Sequence, residues 1–123
     1  MNLLGNALYR NPEQLARLRA SPELMPCAVE EFLRYDSSVQ LSGRGALVDT
    51  QIGGHPVPAE AQILTLLAAA NRDPEVFSEP ERLDIARDEA KPLSFGGGIH
   101  LCLGAPCTHG SAHWPRHAAQ AVT

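Results

Sequence analysis

Apolar residues recur at helical spacing in two segments of the first third of the chain. The sequence NPEQ at 11–14 is typical of a helix start, with Asn as the N-cap, Pro at the first helical position and Gln three residues after the cap. A short helix to about Ala20 is predicted to follow. SPE at 21–23 repeats the signal and precedes apolar positions at helical spacing, which predicts a second helix from Leu24 to about Tyr35.

The pattern changes after Val39, where glycines and prolines separate short apolar runs. The runs at Ala46–Val48 and Ala61–Leu67 are predicted to be small strands. Between them, Gly53 and Gly54 predict a hairpin turn, because glycine adopts the positive φ angles that such turns require. The middle of the chain is therefore expected to form a small β-structure.

The segment from Asn71 to Leu93 carries several prolines and many charges with little periodicity. It is long for a loop inside a compact domain. Its own apolar surface is too small to form a core. We therefore expect either a structured meander that is held in place by a cofactor or by another part of a larger fold, or a loop.

Composition is typical of one small globular domain. The chain has 123 residues, of which 44% are apolar and 20% charged, and this balance excludes a disordered chain. A net charge of -4 gives no general attraction to nucleic acid or to an anionic membrane, and the longest apolar stretch, 63–70, is too short to span a bilayer. Three cysteines are an odd number, which argues against a disulfide framework and predicts a reducing, cytoplasmic location.

The sequence FGGGIHLCLG at 95–104 holds the strongest candidate for chemistry. Its three successive glycines let the backbone approach a flat object closely. Cys102 precedes a predicted helix start, where free amide donors and the helix dipole stabilise a thiolate. The same residues also fit a glycine-rich turn beside a buried structural cysteine, and their spacing alone does not separate the two interpretations.

Two shorter motifs carry charges that can pair. Glu31 and Arg34 lie three residues apart, on one face of the second predicted helix. Arg82, in the sequence PERLD at 80–84, is a candidate to complete an ion network with them. Each motif alone also fits an ordinary solvated ion pair or surface arginine, which contributes little to stability.

In this order and separation, the three motifs resemble those of the cytochrome P-450 family of haem-thiolate monooxygenases. Glu31 and Arg34 match the family's Glu-x-x-Arg helix, and 71–74 and 80–82 match the segment that follows it. The sequence at 95–104 matches the Phe-Gly-x-Gly-x-His-x-Cys-x-Gly ligand loop at every fixed position. This last match is the most specific of the three.

The resemblance covers most of the chain, from Asn2 to about Pro106, and 29–77 looks like the soluble bacterial branch of the family. It implies a mainly α fold with a small antiparallel β-sheet, which is the C-terminal part of the cytochrome P-450 fold. Residues 1–106 are therefore expected to form part of a haem-binding domain.

The resemblance implies that the cofactor is haem b, iron protoporphyrin IX. Cys102 would be the axial ligand of the iron, with a thiolate that favours O–O cleavage. Arg44 and His100 match positions that contact the haem propionates, where N–H donors suit carboxylates. Phe95 would pack on the proximal side of the macrocycle, near the sulfur.

Other residues receive structural or substrate roles from the same resemblance. A structural ion network would contain Glu31, Arg34 and Arg82. A short segment would reach over the haem toward the substrate, with the residues Val39, Gln40, Leu41 and Ser42.

The family reaction is the insertion of one oxygen atom from O2 into an organic substrate, with electrons from a ferredoxin-type partner. The family's acid–alcohol pair, which delivers protons to bound oxygen, would lie just before Met1. We therefore expect a fragment that retains no catalytic residue of this kind and is inactive alone.

The tail at 107–123 departs from the family, which continues here as an amphipathic helix, because Gly110 and Pro115 would break such a helix. One interpretation is a zinc site with the ligands Cys107, His109, His113 and His117. Another is a frameshift from Ala105 onward: a shifted reading, with G or C at free third positions, yields an apolar, helix-favouring sequence. The alternatives to a monooxygenase fragment are a non-catalytic haem- or zinc-binding module and a pseudogene product.

Overall fold

Three helices form the first part of the molecule. The computed structural model describes residues 3–89 and 91–106. Helix α1 is Leu3–Arg10, α2 is Pro12–Ala20 and α3 is Met25–Tyr35, and a 3₁₀ turn at Pro22–Leu24 leads directly into α3. The two helices predicted from the apolar pattern are therefore confirmed, with boundaries close to the predicted ones.

The start of α2 differs from the predicted cap. Asn11 makes no side-chain hydrogen bond to α2, and its Nδ2 instead donates to the Ala7 carbonyl of α1 at 2.9 Å. Gln14 is buried, and its Oε1 accepts the Ile85 N–H at 3.2 Å. Both amide side chains thus join α2 to neighbouring segments, because these segments offer backbone groups that the local sequence does not reveal.

Short elements follow the helices. Four strands form two separate antiparallel pairs, β1 with β4 and β2 with β3. The strands are β1 (Ser42–Gly45), β2 (Thr50–Ile52), β3 (His55–Val57) and β4 (Gln62–Thr65), and a short helix, α4 (Leu67–Ala70), follows β4. The predicted small antiparallel structure is present, divided into two pairs in the described part of the chain.

The hairpin prediction is confirmed, whereas the prediction of a strand at Ala46–Val48 is wrong. Gly53 and Gly54 form the turn between β2 and β3 with φ angles of +56° and +81°. Strand β1 ends at Gly45, and the chain then bends so that Leu47 is 93% exposed. Pairing with β4 holds the glycine-rich β1 extended despite its poor strand propensity, since backbone bonds to a partner strand outweigh local preference.

The described residues of the segment 71–92 contain turns and bends but neither helix nor strand, as their lack of periodicity predicted. This meander nevertheless supplies part of the core. Leu83 and Ile85 are buried together with apolar residues of the three helices, namely Ala7, Leu18, Ala28 and Phe32. The meander therefore closes the helical core and does not need a core of its own.

Candidate functional site

A buried ion pair joins α3 to the meander. Arg34 donates from Nε and Nη2 to the two carboxylate oxygens of Glu31 at 2.7 and 3.0 Å, and both side chains are almost completely buried. The remaining N–H groups of Arg34 donate to the backbone carbonyls of Asn71, Pro80 and Arg82. Every guanidinium donor is thus satisfied, which is the condition under which a buried ion pair is tolerated.

The third charged residue of this cluster is Arg87, and the predicted side chain of Arg82 does not take part. Arg87 Nε donates to Glu31 Oε2 at 3.1 Å. The Arg82 guanidinium instead pairs with Glu79, and that pair is exposed. Arg82 contributes only its backbone carbonyl, because the turns of the meander direct the carbonyl to the cluster and leave the side chain in solvent.

The surroundings of Arg87 shift its pKa and that of its neighbour Glu89. Burial alone would lower the pKa of Arg87, but the charge of Glu31 and the hydrogen bonds to Glu89 and Glu31 raise it above its ordinary value. A hydrogen bond from the Ser78 hydroxyl, together with Arg87, holds the pKa of Glu89 below its ordinary value. Both shifts favour the charged forms of Arg87 and Glu89.

The loop that carries Cys102 folds back on itself through two 3₁₀ turns, Leu93–Phe95 and Gly98–His100. The Cys102 N–H donates to the Phe95 carbonyl at 2.9 Å. Gly96 has a φ angle of +72°, and a Cβ added there would lie 3.4 Å from the His100 carbonyl oxygen. The backbone angle favours glycine at this position, whereas the distance to His100 is an ordinary contact.

A cavity of about 370 Å³ lies between this loop, β1 and the end of α3. All four residues that the resemblance assigned to haem contact line it, although they come from two segments that are distant in sequence. These residues are Arg44, Phe95, His100 and Cys102. The fold therefore brings the candidate ligand and the candidate propionate donors to one site.

The segment predicted to face substrate is divided in the structure. Val39 and Ser42 line the cavity, whereas Gln40 and Leu41 do not. The Gln40 carbonyl accepts the Ala68 N–H at 3.0 Å, so this part of the segment serves to attach the chain to α4. Leu41 is 53% exposed.

Several residues of the cavity wall were not predicted from the sequence, namely Leu33, Ser38, Leu67, Ser94 and Gly96. Gly96 lies within the loop motif and Ser94 directly precedes it, so their position at the site could have been predicted from the motif. The other three lie on α3, just after it and on α4. Nothing in their local sequence indicates a site, because only the packing of α3 and α4 against the loop brings them there.

The chemistry of the lining fits a haem. A thiol sulfur, a guanidinium and an imidazole share the cavity with the apolar side chains Leu33, Leu67, Val39 and Phe95. The backbone beside them is open, since a Cβ added at Gly97 or Gly98 would meet no atom within 4 Å. A flat, apolar group with carboxylate substituents and a metal that accepts sulfur matches this set of donors.

The predictions for the tail concern residues outside those that the structure describes. These are the zinc ligands Cys107, His109, His113 and His117 and the frameshift at 107–123. Across 3–89 and 91–106, no group of three or more His, Cys, Asp or Glu residues could hold a metal ion. The described helices include none with the length and apolarity needed to cross a membrane.

The sequence and fold identify the family. The family model for cytochrome P450 matches residues 10–108, so the chain belongs to the cytochrome P450 family. It is 49% identical over 107 residues to cytochrome P450 CYP107DY1 of Priestia megaterium, which covers 87% of this chain and 26% of that protein. It is 45% identical over 108 residues to the biotin biosynthesis cytochrome P450 of Bacillus subtilis, which covers 85% of this chain and 27% of that protein.

Solved structures agree with this assignment. The structure of CYP164A2 from Mycobacterium smegmatis with econazole bound is similar with a TM-score of 0.86 and 41% identity, over 96% of this chain and 30% of that chain. The predicted fold class, the C-terminal part of the cytochrome P450 fold with helices and small antiparallel β-structure, is therefore confirmed. The chain spans about a quarter of the length of the curated relatives that it matches.

Proposed function

We propose that the chain binds haem b through the thiolate of Cys102 and forms the haem-ligand part of a bacterial haem-thiolate monooxygenase. The observation that carries the proposal is the shared cavity of Cys102, His100, Phe95 and Arg44. Membership of the cytochrome P450 family supports haem as the cofactor and monooxygenation as the general function.

Each residue of the proposed site has a task that follows from its chemistry. The Cys102 thiolate ligates the iron, and the N–H groups of Arg44 and His100 donate to the propionates. Phe95 packs against the macrocycle and, through its carbonyl, holds the Cys102 N–H. Val39 and Ser42 lie on the substrate side. When bound, the haem supplies the oxygen chemistry, and thiolate ligation favours O–O cleavage.

The proposal extends to the protein of which such a site forms part. Its reaction is the insertion of one oxygen atom from O2 into a small organic substrate, with electrons from a ferredoxin-type partner, in the cytoplasm. The structural ion cluster of Glu31, Arg34 and Arg87 holds the meander against α3 behind the site. A haem-binding module without catalysis is the second candidate, and the exposure of Cys102 favours it.

Ligation is tested by the spectrum of the reduced, CO-bound chain after haem is added. The unsubstituted chain should show the red-shifted Soret band expected of a thiolate ligand, and Cys102→Ser should abolish it. Cys27→Ser is the matched control, because Cys27 is also an exposed cysteine but does not line the cavity. Cys107→Ser should likewise retain the band. A thiolate-type band that survives Cys102→Ser would refute the assignment.

A further inference from the structure

Asn71 is a buried polar residue at the start of the meander. It has no solvent-exposed surface, and its side-chain amide is fully used. Nδ2 donates to Ser37 Oγ at 2.8 Å and to Ser94 Oγ at 2.9 Å, and Oδ1 accepts the Leu93 N–H at 2.7 Å. An amide offers two donors and one acceptor oxygen, so each group of this side chain has a partner.

These bonds connect the buried ion cluster to the ligand loop. On one side, the Asn71 carbonyl accepts Arg34 Nη1 at 2.9 Å, which ties Asn71 to the buried ion cluster. On the other side, Leu93 and Ser94 form the start of the ligand loop. Asn71 thus attaches the loop to the most deeply buried part of the fold.

The path from Asn71 to the candidate ligand is short. Ser94 precedes Phe95, whose carbonyl accepts the Cys102 N–H at 2.9 Å. Ser94 Oγ also donates to the Leu33 carbonyl at 2.7 Å, and Leu33 and Ser94 both line the cavity. A shift of Ser94 therefore moves the backbone group that holds Cys102.

We propose that Asn71 is a positioning residue that orients Cys102 toward the haem through Leu93, Ser94 and Phe95. This inference rests on the proposed function, in which Cys102 ligates the iron. A metal ligand must be held within about 0.5 Å of its productive position by supporting hydrogen bonds. Loss of the Asn71 amide leaves the Leu93 N–H without its partner and removes one of the two bonds of the Ser94 hydroxyl, which loosens the loop.

Ser37 and Ser94 provide a matched pair of variants. Both serines are buried, with exposed fractions of 6% and 9%. Each accepts a bond from Asn71 Nδ2 and each donates to the Leu33 carbonyl. They differ in position, because Ser94 begins the ligand loop whereas Ser37 follows α3 and does not line the cavity.

The experiment compares Asn71→Ala, Ser94→Ala and Ser37→Ala in the 123-residue chain. With haem bound, reduced and exposed to CO, Asn71→Ala and Ser94→Ala should lose the thiolate-type spectrum and show that of a weaker ligand. Ser37→Ala should retain the thiolate-type spectrum. In the haem-free chain, amide hydrogen exchange at Leu93 and Cys102 should quicken about tenfold or more in the first two variants. Ser37→Ala should leave both rates within about twofold.

Equal effects of Ser94→Ala and Ser37→Ala would overturn the proposal, because they would reflect general destabilisation. An unchanged CO-bound spectrum together with unchanged amide exchange rates in Asn71→Ala would overturn the proposal as well. If Asn71→Ala loses its helical circular dichroism, the comparison of Ser94→Ala with Ser37→Ala tests the proposal. If the unsubstituted chain never gives the thiolate-type band, the proposed function fails, while the exchange rates still test the role of Asn71.

Discussion

At the scale of single residues, two Glu–Arg pairs have the same spacing and differ in their surroundings. The side chains of Glu31 and Arg34 are 2% and 1% exposed, whereas those of Glu79 and Arg82 are 71% and 57% exposed. Removal of one partner from a buried pair leaves a charge without compensation, which costs about 3–5 kcal/mol. An exposed pair contributes about 0–1 kcal/mol, since water screens it.

We therefore predict that Glu31→Gln lowers the free energy of unfolding by roughly 3–5 kcal/mol. Glu79→Gln is the matched control, with an expected loss of less than about 1 kcal/mol. Urea denaturation followed by far-ultraviolet circular dichroism measures both. Losses of similar, small size would mean that water reaches the Glu31 cluster and would contradict its burial.

At the scale of elements, the ligand loop depends on backbone conformations that only some of its glycines adopt. Gly96 has a φ angle of +72°, in the left-handed region. Gly97 has a φ angle of -161°, which is extended backbone open to any residue. The loop motif has a fixed glycine at the first of these positions and a variable residue at the second, in agreement with this difference.

Gly96→Ala should distort the loop, because an L-residue in the left-handed region costs about 1–2 kcal/mol and Gly96 has a φ angle of +72°. We expect faster amide exchange at Cys102 and weaker haem retention on gel filtration. Gly97→Ala should leave exchange at Cys102 unchanged. Equal exchange in the two variants would show that the loop does not require the positive φ angle.

At the scale of the whole molecule, large apolar side chains lie in water around the candidate site. Ile99 and Leu103 are both 97% exposed, and Leu101 and Leu64 are 54% and 65% exposed. Cys102 is itself exposed. The described residues therefore form a site that water can enter. Monooxygenation, in contrast, requires that water and stray protons be excluded from the reactive species.

We predict that the haem-loaded chain consumes NAD(P)H and O2 in the presence of ferredoxin-type partners without coupled product. The measurement compares product with the amounts of O2 and NAD(P)H consumed. A full-length relative, such as the Priestia megaterium protein, serves as the control for the assay. Product formed in proportion to O2 would contradict the prediction and would favour the enzyme over the non-catalytic haem-binding module.

Local patterns in the sequence were sufficient for α2, α3 and the Gly53–Gly54 hairpin, since each depends on residues within a few positions of one another. The ligand-loop motif likewise identified Cys102, and the resemblance identified its companions in the cavity. The predicted cap of α2 failed because Asn11 Nδ2 donates to the Ala7 carbonyl of α1, a group of another element that outweighed the local preference. The predicted strand at Ala46–Val48 failed because pairing of β1 with β4 ends at Gly45 and the chain then bends.

The sequence by itself thus determined α2, α3, the Gly53–Gly54 hairpin, the family and the candidate ligand, because short-range propensity and a specific motif encode them. Only the tertiary structure decided that Arg87 and not Arg82 meets Glu31, across 56 residues of chain. It also decided that Asn71 joins α3 to the ligand loop, across separations of 34 and 23 residues. Partners at such separations are chosen by how the irregular meander packs against the helices, and an aperiodic segment carries no local pattern that specifies this packing.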